Sequence, residues 1–187
     1  IQAQADGVRG IRFGLAAIKN AGESQLQPIL AAREAGGPFT SLEDFCRRVD
    51  LRQVGRRTLE SLVKVGALDA LGERGQLAQA EALDRITSYS ADYHRAQEIG
   101  QMSRFGEASG VDDALKLPAA PVDIAQRELL NWEKELLGLY VTGRPVDKAR
   151  EVLRHSNTAE IARLKEQGAA IAGTAGAVAG EIVSLRK

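Results

Sequence analysis

The residues whose types and spacing suit them to chemistry lie in two glycine turns. Asn20-Ala21-Gly22-Glu23-Ser24 and Arg52-Gln53-Val54-Gly55-Arg56-Arg57-Thr58 each interrupt a stretch of amphipathic helical pattern. A glycine turn leaves its amide hydrogens unobstructed, and the helix that follows adds unpaired amides and a partial positive charge. The chemistry implied is capture of an anion, and a phosphate fits. The candidates are Lys19, Asn20, Gly22 and Ser24 in the first turn and Arg52, Gly55, Arg56, Arg57 and Thr58 in the second. Charge favours the second. Between Phe45 and Lys64 stand Arg47, Arg48, Arg52, Arg56, Arg57 and Lys64 against Asp50 and Glu60, whereas the first turn has Lys19 opposed by Glu23. The same pattern also describes the solvated faces of an antiparallel helix bundle, whose hairpins are built on glycine turns. Pattern alone leans towards that plainer account.

A second motif is Gly100-Gln101-Met102-Ser103-Arg104-Phe105-Gly106. Glycine at both ends frees the peptide from its helix, so that Gln101 presents its amide while Met102 and Phe105 enter an apolar groove on a partner. The alternative is that Ile99, Met102 and Phe105, spaced by three, continue a helix core, and on pattern alone this is the simpler account. Signs of catalysis are scarce. Asp112-Asp113 are adjacent in a loop and read as solvated carboxylates rather than metal ligands. Cys46 beside Phe45 reads as a small core residue. His94 and His155 read as surface or capping groups, and Trp132 reads as a packing anchor. No residue is assigned a catalytic or metal-binding role.

The elements that must position these turns follow from punctuation. Ile11, Leu15 and Ile18 share a helical face that Asn20-Ala21-Gly22 ends. Leu26, Ile29 and Leu30 define a second helix, stopped by Gly36-Gly37-Pro38, with Pro28 predicting a late start or a bend. Thr40-Ser41-Leu42-Glu43 has the form of a capping box and predicts a third helix to about Arg48. Asp50 to Gly55 is read as a turn, and Thr58 to Val65 as a fourth helix with Leu59, Leu62 and Val63 facing inward and Gly66 as the stop. Helix, glycine turn, helix therefore occurs twice. Gln76 to Ile99 reads as one long helix weakened by Thr87, Ser88, Tyr89 and Ser90, and residues 100–121 as an exposed connector. Helical pattern returns over Ile124 to Leu137. After the turn Thr142-Gly143-Arg144-Pro145 come short helices near Lys148 to Leu153 and Thr158 to Glu166, the last with Asn157 and Glu160 as a cap pair.

Composition bounds the rest. In 187 residues aromatic side chains make up only 4%, so the core is built of Leu, Ile, Val and Ala, which favours helix packing on helix. The predicted class is mainly α. Lys plus Arg and Asp plus Glu both total 25, so no whole-surface grip on nucleic acid or anionic lipid is expected and any contact is local. One cysteine excludes an internal disulfide and fits a reducing compartment. No apolar run is long enough for a membrane span, and the start lacks a signal-peptide layout, so a cytoplasmic location with no membrane partner is expected. Ile1 as first residue, and the strand-like alternation from Ala177 to Lys187, read as a fragment cut from a longer chain.

With these residues in hand, the chain resembles the C-terminal half of the bacterial replicative DNA polymerase III alpha subunit, a family C polymerase. The resemblance is carried by 11–19 (IRFGLAAIK), 37–42 (GPFTSL), 57–62 (RTLESL), 64–69 (KVGALD), 133–140 (EKELLGLY) and 142–145 (TGRP), in family order. It implies a tandem helix-hairpin-helix over 9–72 that touches the backbone of duplex DNA. It further implies a helical clamp-binding region over 73–168, with the connector 100–121 exposed, and the start of a truncated oligonucleotide-binding (OB) barrel over 169–187, its opening strand from about Ala177. Gln101, Met102, Ser103, Arg104 and Phe105 fall where the family carries its sliding-clamp peptide, with Arg104 in place of the usual aliphatic residue. Asn20 stands where the first hairpin of the family often has glycine, and Arg144 where it often has histidine. The implied partners are the DNA backbone, the sliding clamp (beta subunit) and the rest of the polymerase III holoenzyme, at the nucleoid. The implied role is template-primer positioning and processivity. The palm aspartates and their Mg2+ would lie upstream, so no cofactor and no nucleotidyl transfer are expected of these residues. Two rivals remain: a helical adaptor that binds only proteins, and a hairpin module of a repair protein.

Overall fold

The structure, a computed structural model, describes residues 2–3, 9–10, 13–98, 114–118, 122–147, 161–173, 175 and 177–178. By compactness the chain divides into residues 1–139 and 140–187. In the first unit β1 (Gln2–Ala3) pairs antiparallel with β2 (Arg9–Gly10), Gln2 opposite Gly10 and Ala3 opposite Arg9. Among the described residues the rest of its regular structure is helical. A 3-10 turn (Leu15–Ala17) precedes α1 (Glu23–Gly36), α2 (Leu42–Arg48), α3 (Leu51–Val54), α4 (Arg56–Lys64), α5 (Arg74–Leu77), α6 (Ala80–Glu98) and α7 (Gln126–Leu137). The mainly α class follows from the residues as expected.

Several expected elements are redrawn. The first helix is only the 3-10 turn among the described residues, because Gly14 is extended and Ile18 leaves helical geometry. Asp50 to Gly55 is not all turn. Asp50 caps α3 by accepting from the Arg52 N–H at 3.1 Å, and the turn narrows to Gly55 alone at φ +81. α4 accordingly begins at Arg56 rather than Thr58. The capping box is shifted by one residue: Ser41 Oγ accepts from Asp44 N–H at 3.0 Å, and the Asp44 carboxylate reaches back to Thr40 N–H at 3.0 Å. α1 starts at Glu23 and runs through Pro28 without a late start. It stops at Gly37, where Arg48 reaches across to donate to the Ala32 and Gly37 carbonyls at 2.5 and 2.8 Å.

The long helix predicted from Gln76 divides into α5 and α6, broken at Ala78 and Gln79. Its polar middle is explained by the partners it meets. Thr87 donates back to the Leu83 carbonyl, Tyr89 accepts from Arg47, and fully buried Ser90 bridges the chain between α2 and α3. Residues 114–118 of the predicted exposed connector lie docked. Leu115 and Leu117 are half-buried against the core, Gln76 donates to the Pro118 carbonyl at 2.7 Å, and Arg85 donates to the Lys116 carbonyl at 2.7 Å.

The core is the predicted aliphatic one around a single ring. Phe45, Leu26, Leu59, Leu62, Leu77, Leu83 and Ile86 are all at most 2% exposed. Burying each contributes about 1.5–3 kcal/mol. Cys46 sits among them, as expected of a core residue, and burial pushes its thiol up to about 12. Trp132 packs against this cluster with the Lys64 ammonium 5.4 Å from its ring centre.

In the second unit, the Arg144 N–H donates to the Asp147 carboxylate at 2.7 Å and the Asp147 N–H to the Arg144 carbonyl at 3.0 Å, closing a turn over 144–147, two residues beyond the one expected at 142–145. α8 (Ile161–Gln167) continues into a 3-10 turn (Gly168–Ile171). The helix expected near 148–153, residues 158–160, and all but two residues of the expected barrel strand lie outside the described residues. Among the described residues no helix is long and apolar enough to cross a membrane.

Candidate nucleic-acid interface

The first turn takes the conformation that glycine usually supplies, with Asn20 at φ +69 in the left-handed region. Asparagine is among the few side chains that tolerate it. Here the conformation is held from outside. The Asn20 carbonyl accepts from Thr58 Oγ1 at 2.8 Å, and Asn20 Nδ2 donates to Ser61 Oγ at 3.2 Å. Thr58 and Ser61 are themselves 4% and 3% exposed. Two polar residues on the buried face of α4 thus fasten the first turn to the second helix of the second hairpin. On the other side, the Lys19 N–H donates to the Leu136 carbonyl of α7 at 2.9 Å.

The two hairpins are therefore one body. The 3-10 turn leads through Asn20 into α1, and α3 leads through Gly55 into α4. Gly22 directly precedes α1 and Gly55 directly precedes α4, and neither start is capped by a side-chain hydrogen bond. The amides of Glu23, Ser24, Arg56 and Arg57 belong to the first turns of these helices, whose N–H groups have no partner within the helix. Gly55 is required by its backbone angle alone, since a Cβ there meets nothing within 4 Å.

Electrostatics redistribute the predicted cations. Arg52 lies in α3, not in the turn, and is held by Asp50 at 2.8 and 2.9 Å and by Glu98 of α6 at 2.5 Å. This pairing holds the Asp50 carboxyl down at about 2 and lowers that of Glu98. Arg56 forms an ion pair with Asp84 of α6, both exposed. Lys64 pairs with Glu60 at 2.6 Å, and Lys19 with Glu135 at 3.6 Å across solvent. Arg47 donates to the Tyr89 hydroxyl, and Arg48 closes the end of α1 while stacking 4.5 Å from the Phe39 ring centre. Arg57 is exposed, with no ion-pair partner among the described residues. Ser24 is exposed and donates to Gln25 Oε1 at 3.1 Å.

The structure thus brings together Asn20, Thr58, Gly55, Arg56 and Arg57, with Gly22 and Ser24 following Asn20 into α1. Arg52 is drawn off to α6, and Lys19 faces α7. Gln101, Met102, Ser103, Arg104 and Phe105 lie outside the described residues. Sequence spacing does not single out Ser61 or Asp84. A polar residue at core spacing on α4 is the signal for Ser61, while Asp84 has none, being brought in by the packing of α6. Elsewhere, Phe13, Leu15, Leu26 and Leu30 line an apolar groove of about 550 Å3 beside α1, with Glu23 and Arg33 on its wall.

Residues 2–77 match the family model described as the helix-hairpin-helix motif, which is the class the two coupled hairpins define. The longer similarity is to DNA polymerase III subunit alpha. That of Thermus aquaticus is 41% identical over 152 residues, covering 81% of this chain and 11% of the relative. That of Vibrio cholerae is 34% identical over 177 residues, covering 94% and 15%, and that of Chlamydia trachomatis 37% over 148 residues, covering 78% and 12%. Along most of its length the chain is thus related to one stretch of the DNA polymerase III alpha subunits. It spans only 11 to 15% of the length of these curated relatives.

Proposed function

We propose that the coupled hairpins hold the phosphate backbone of duplex DNA, without reading sequence, as part of a bacterial replicative polymerase. The observation that carries this is the pair of hydrogen bonds from Thr58 to Asn20 and from Asn20 to Ser61. They fix the uncapped starts of α1 and α4 on one body, so that two amide-rich turns can meet one backbone together. Arg57 adds a cation at the second turn. The neutral total charge suits such a local grip, since affinity then comes from few phosphates and falls with salt in proportion to their number.

The test is duplex binding over a range of salt concentrations. Arg56→Ala combined with Arg57→Ala weakens binding and flattens the salt dependence by about 0.9 log unit for each phosphate no longer neutralised. An unchanged slope refutes the assignment. Lack of duplex binding by the parent favours the protein adaptor, for which the groove beside Phe13 is the natural surface.

The proposal includes docking of residues 101–105 on the sliding clamp, on the strength of their motif and position after α6. Such a peptide binds near micromolar, about 8 kcal/mol, and adds to processivity by raising effective concentration. Phe105→Ala abolishes clamp binding while leaving the helical content intact. Clamp affinity equal to the parent's refutes the docking, and a clamp-negative parent with intact duplex binding points to a repair module. The location proposed is the cytoplasm, at the nucleoid, and no catalytic step is assigned to these residues.

A further inference from the structure

α4 opens on positive charge, against its own stability. Arg56 and Arg57 occupy its first turn, which holds no acidic residue, although the start of a helix favours negative charge. α2 shows the ordinary arrangement, with Glu43 and Asp44 at its start and Arg47 and Arg48 at its end. The deficit at α4 is met from outside. Asp84, one turn into α6, pairs with Arg56 Nη1, while Arg56 Nη2 lies 3.4 Å from the Ala80 carbonyl. The pair is open to water, with the Arg56 side chain 45% and the Asp84 side chain 64% exposed. Exposed pairs of this kind are worth little and exchange readily.

Arg52 provides the contrast. It is chelated by Asp50 through two hydrogen bonds and further bound by Glu98, and it stays engaged. The two α6 carboxylates therefore sort the arginines around Gly55 into one withheld, one lightly held and one unpaired among the described residues.

We propose that Asp84 is an internal competitor for the anion bound at the start of α4. It occupies Arg56 when no polyanion is present, and binding exchanges the Arg56–Asp84 pair for an Arg56–phosphate pair. This rests on the phosphate-binding reading above and adds the residue that sets its strength. An internal carboxylate in this place keeps the turn from gripping stray anions weakly, while a closely spaced row of phosphates displaces it.

The experiment is titration of the 187-residue chain and its variants with short mixed-sequence duplex DNA at several salt concentrations. Asp84→Asn is expected to tighten binding several-fold at a salt slope close to the parent's, since Arg56 meets phosphate in both bound states. Asp92→Asn removes the same charge from α6 about 12 Å further along, beyond a Debye length at physiological salt. It is expected to leave the affinity unchanged. In the Asp84→Asn background, Arg56→Ala abolishes the tightening and flattens the slope by about 0.9 log unit. Equal tightening by Asp84→Asn and Asp92→Asn overturns the proposal in favour of a general field. So does an Asp84→Asn variant that binds like the parent while Arg57→Ala still weakens binding, an outcome that leaves the phosphate reading standing. Absence of duplex binding in the parent and every variant overturns both.

Discussion

Replacing Ser90 by alanine tests the joint on which the second hairpin is mounted. Ser90 on α6 is 0% exposed; its Oγ donates to the Val49 carbonyl at 2.9 Å and accepts from the Leu51 N–H at 3.1 Å. Val49 and Leu51 are themselves 0% and 2% exposed, so water cannot replace the hydroxyl without local opening. Ser90→Ala leaves one buried carbonyl and one buried amide without these partners, at about 1–3 kcal/mol each. The better helix propensity of alanine returns a few tenths of a kcal/mol. The net expectation is a loss of about 2–4 kcal/mol. Trp132, the single tryptophan, lies against the same core and reports its unfolding by fluorescence. With a urea slope of about 1–3 kcal/mol per molar, the midpoint should fall by about 1–2 M. Ser88→Ala, on the same helix but exposed, should move it by less than about 0.5 kcal/mol in equivalent stability. A Ser90→Ala midpoint within the range of Ser88→Ala refutes the idea that α3 is hung from α6 by this hydroxyl.

Acid should loosen the same region through Asp50. Its carboxyl is held down at about 2, chiefly by the hydrogen bond from the Arg52 guanidinium. A carboxyl depressed in the folded state contributes stability above its unfolded pKa and loses it as pH falls from about 4 towards about 2. Urea midpoints followed over that window should decline in the parent and decline less in Arg52→Ala, and identical profiles count against the pair. Cys46 should resist thiol reagents at pH 8 in the native chain, because burial pushes its pKa to about 12, and should react at once in urea. Fast native labelling would show the core around Phe45 to be open. Arg48→Ala should cost about 1–2 kcal/mol by releasing the end of α1, and Arg48→Lys should not restore it, since a lysine lacks the fork that sets Nη2 on the Ala32 and Gly37 carbonyls and Nη1 on the Asp44 carboxylate at once. Full rescue by lysine would reduce the interaction to charge alone.

Much of the fold is legible because its signals are local. Gly37 and Gly66 stop helices where their positive φ is required, and Leu26, Leu59, Leu62 and Val63 lie buried at the helical spacing that marks them. The misplaced boundaries have local causes of another kind. Asp50 resembles a turn residue because it caps a four-residue helix too short to show periodicity, and the break between α5 and α6 carries neither glycine nor proline. The polar run from Thr87 to Ser90 weakens helix propensity by any scale, yet Ser90 is retained for partners some forty residues away in the chain between α2 and α3, which only the packed structure supplies.

Charge is where linear reading fails most instructively. Counting along the chain gives the second hairpin a surplus of four cations, and the count is right, but it omits Asp84 and Glu98, which α6 brings alongside in space. Arg47 and Arg48 are consumed in hydrogen bonds that assemble the fold, and Arg52 by carboxylates. What remains at the Gly55 turn is a small, adjustable charge set by Arg57 and by whether Asp84 holds Arg56. On the proposed reading, a backbone grip built from so few cations is weak in isolation and is set by salt and by the carboxylate beside Arg56, which a count along the chain does not show.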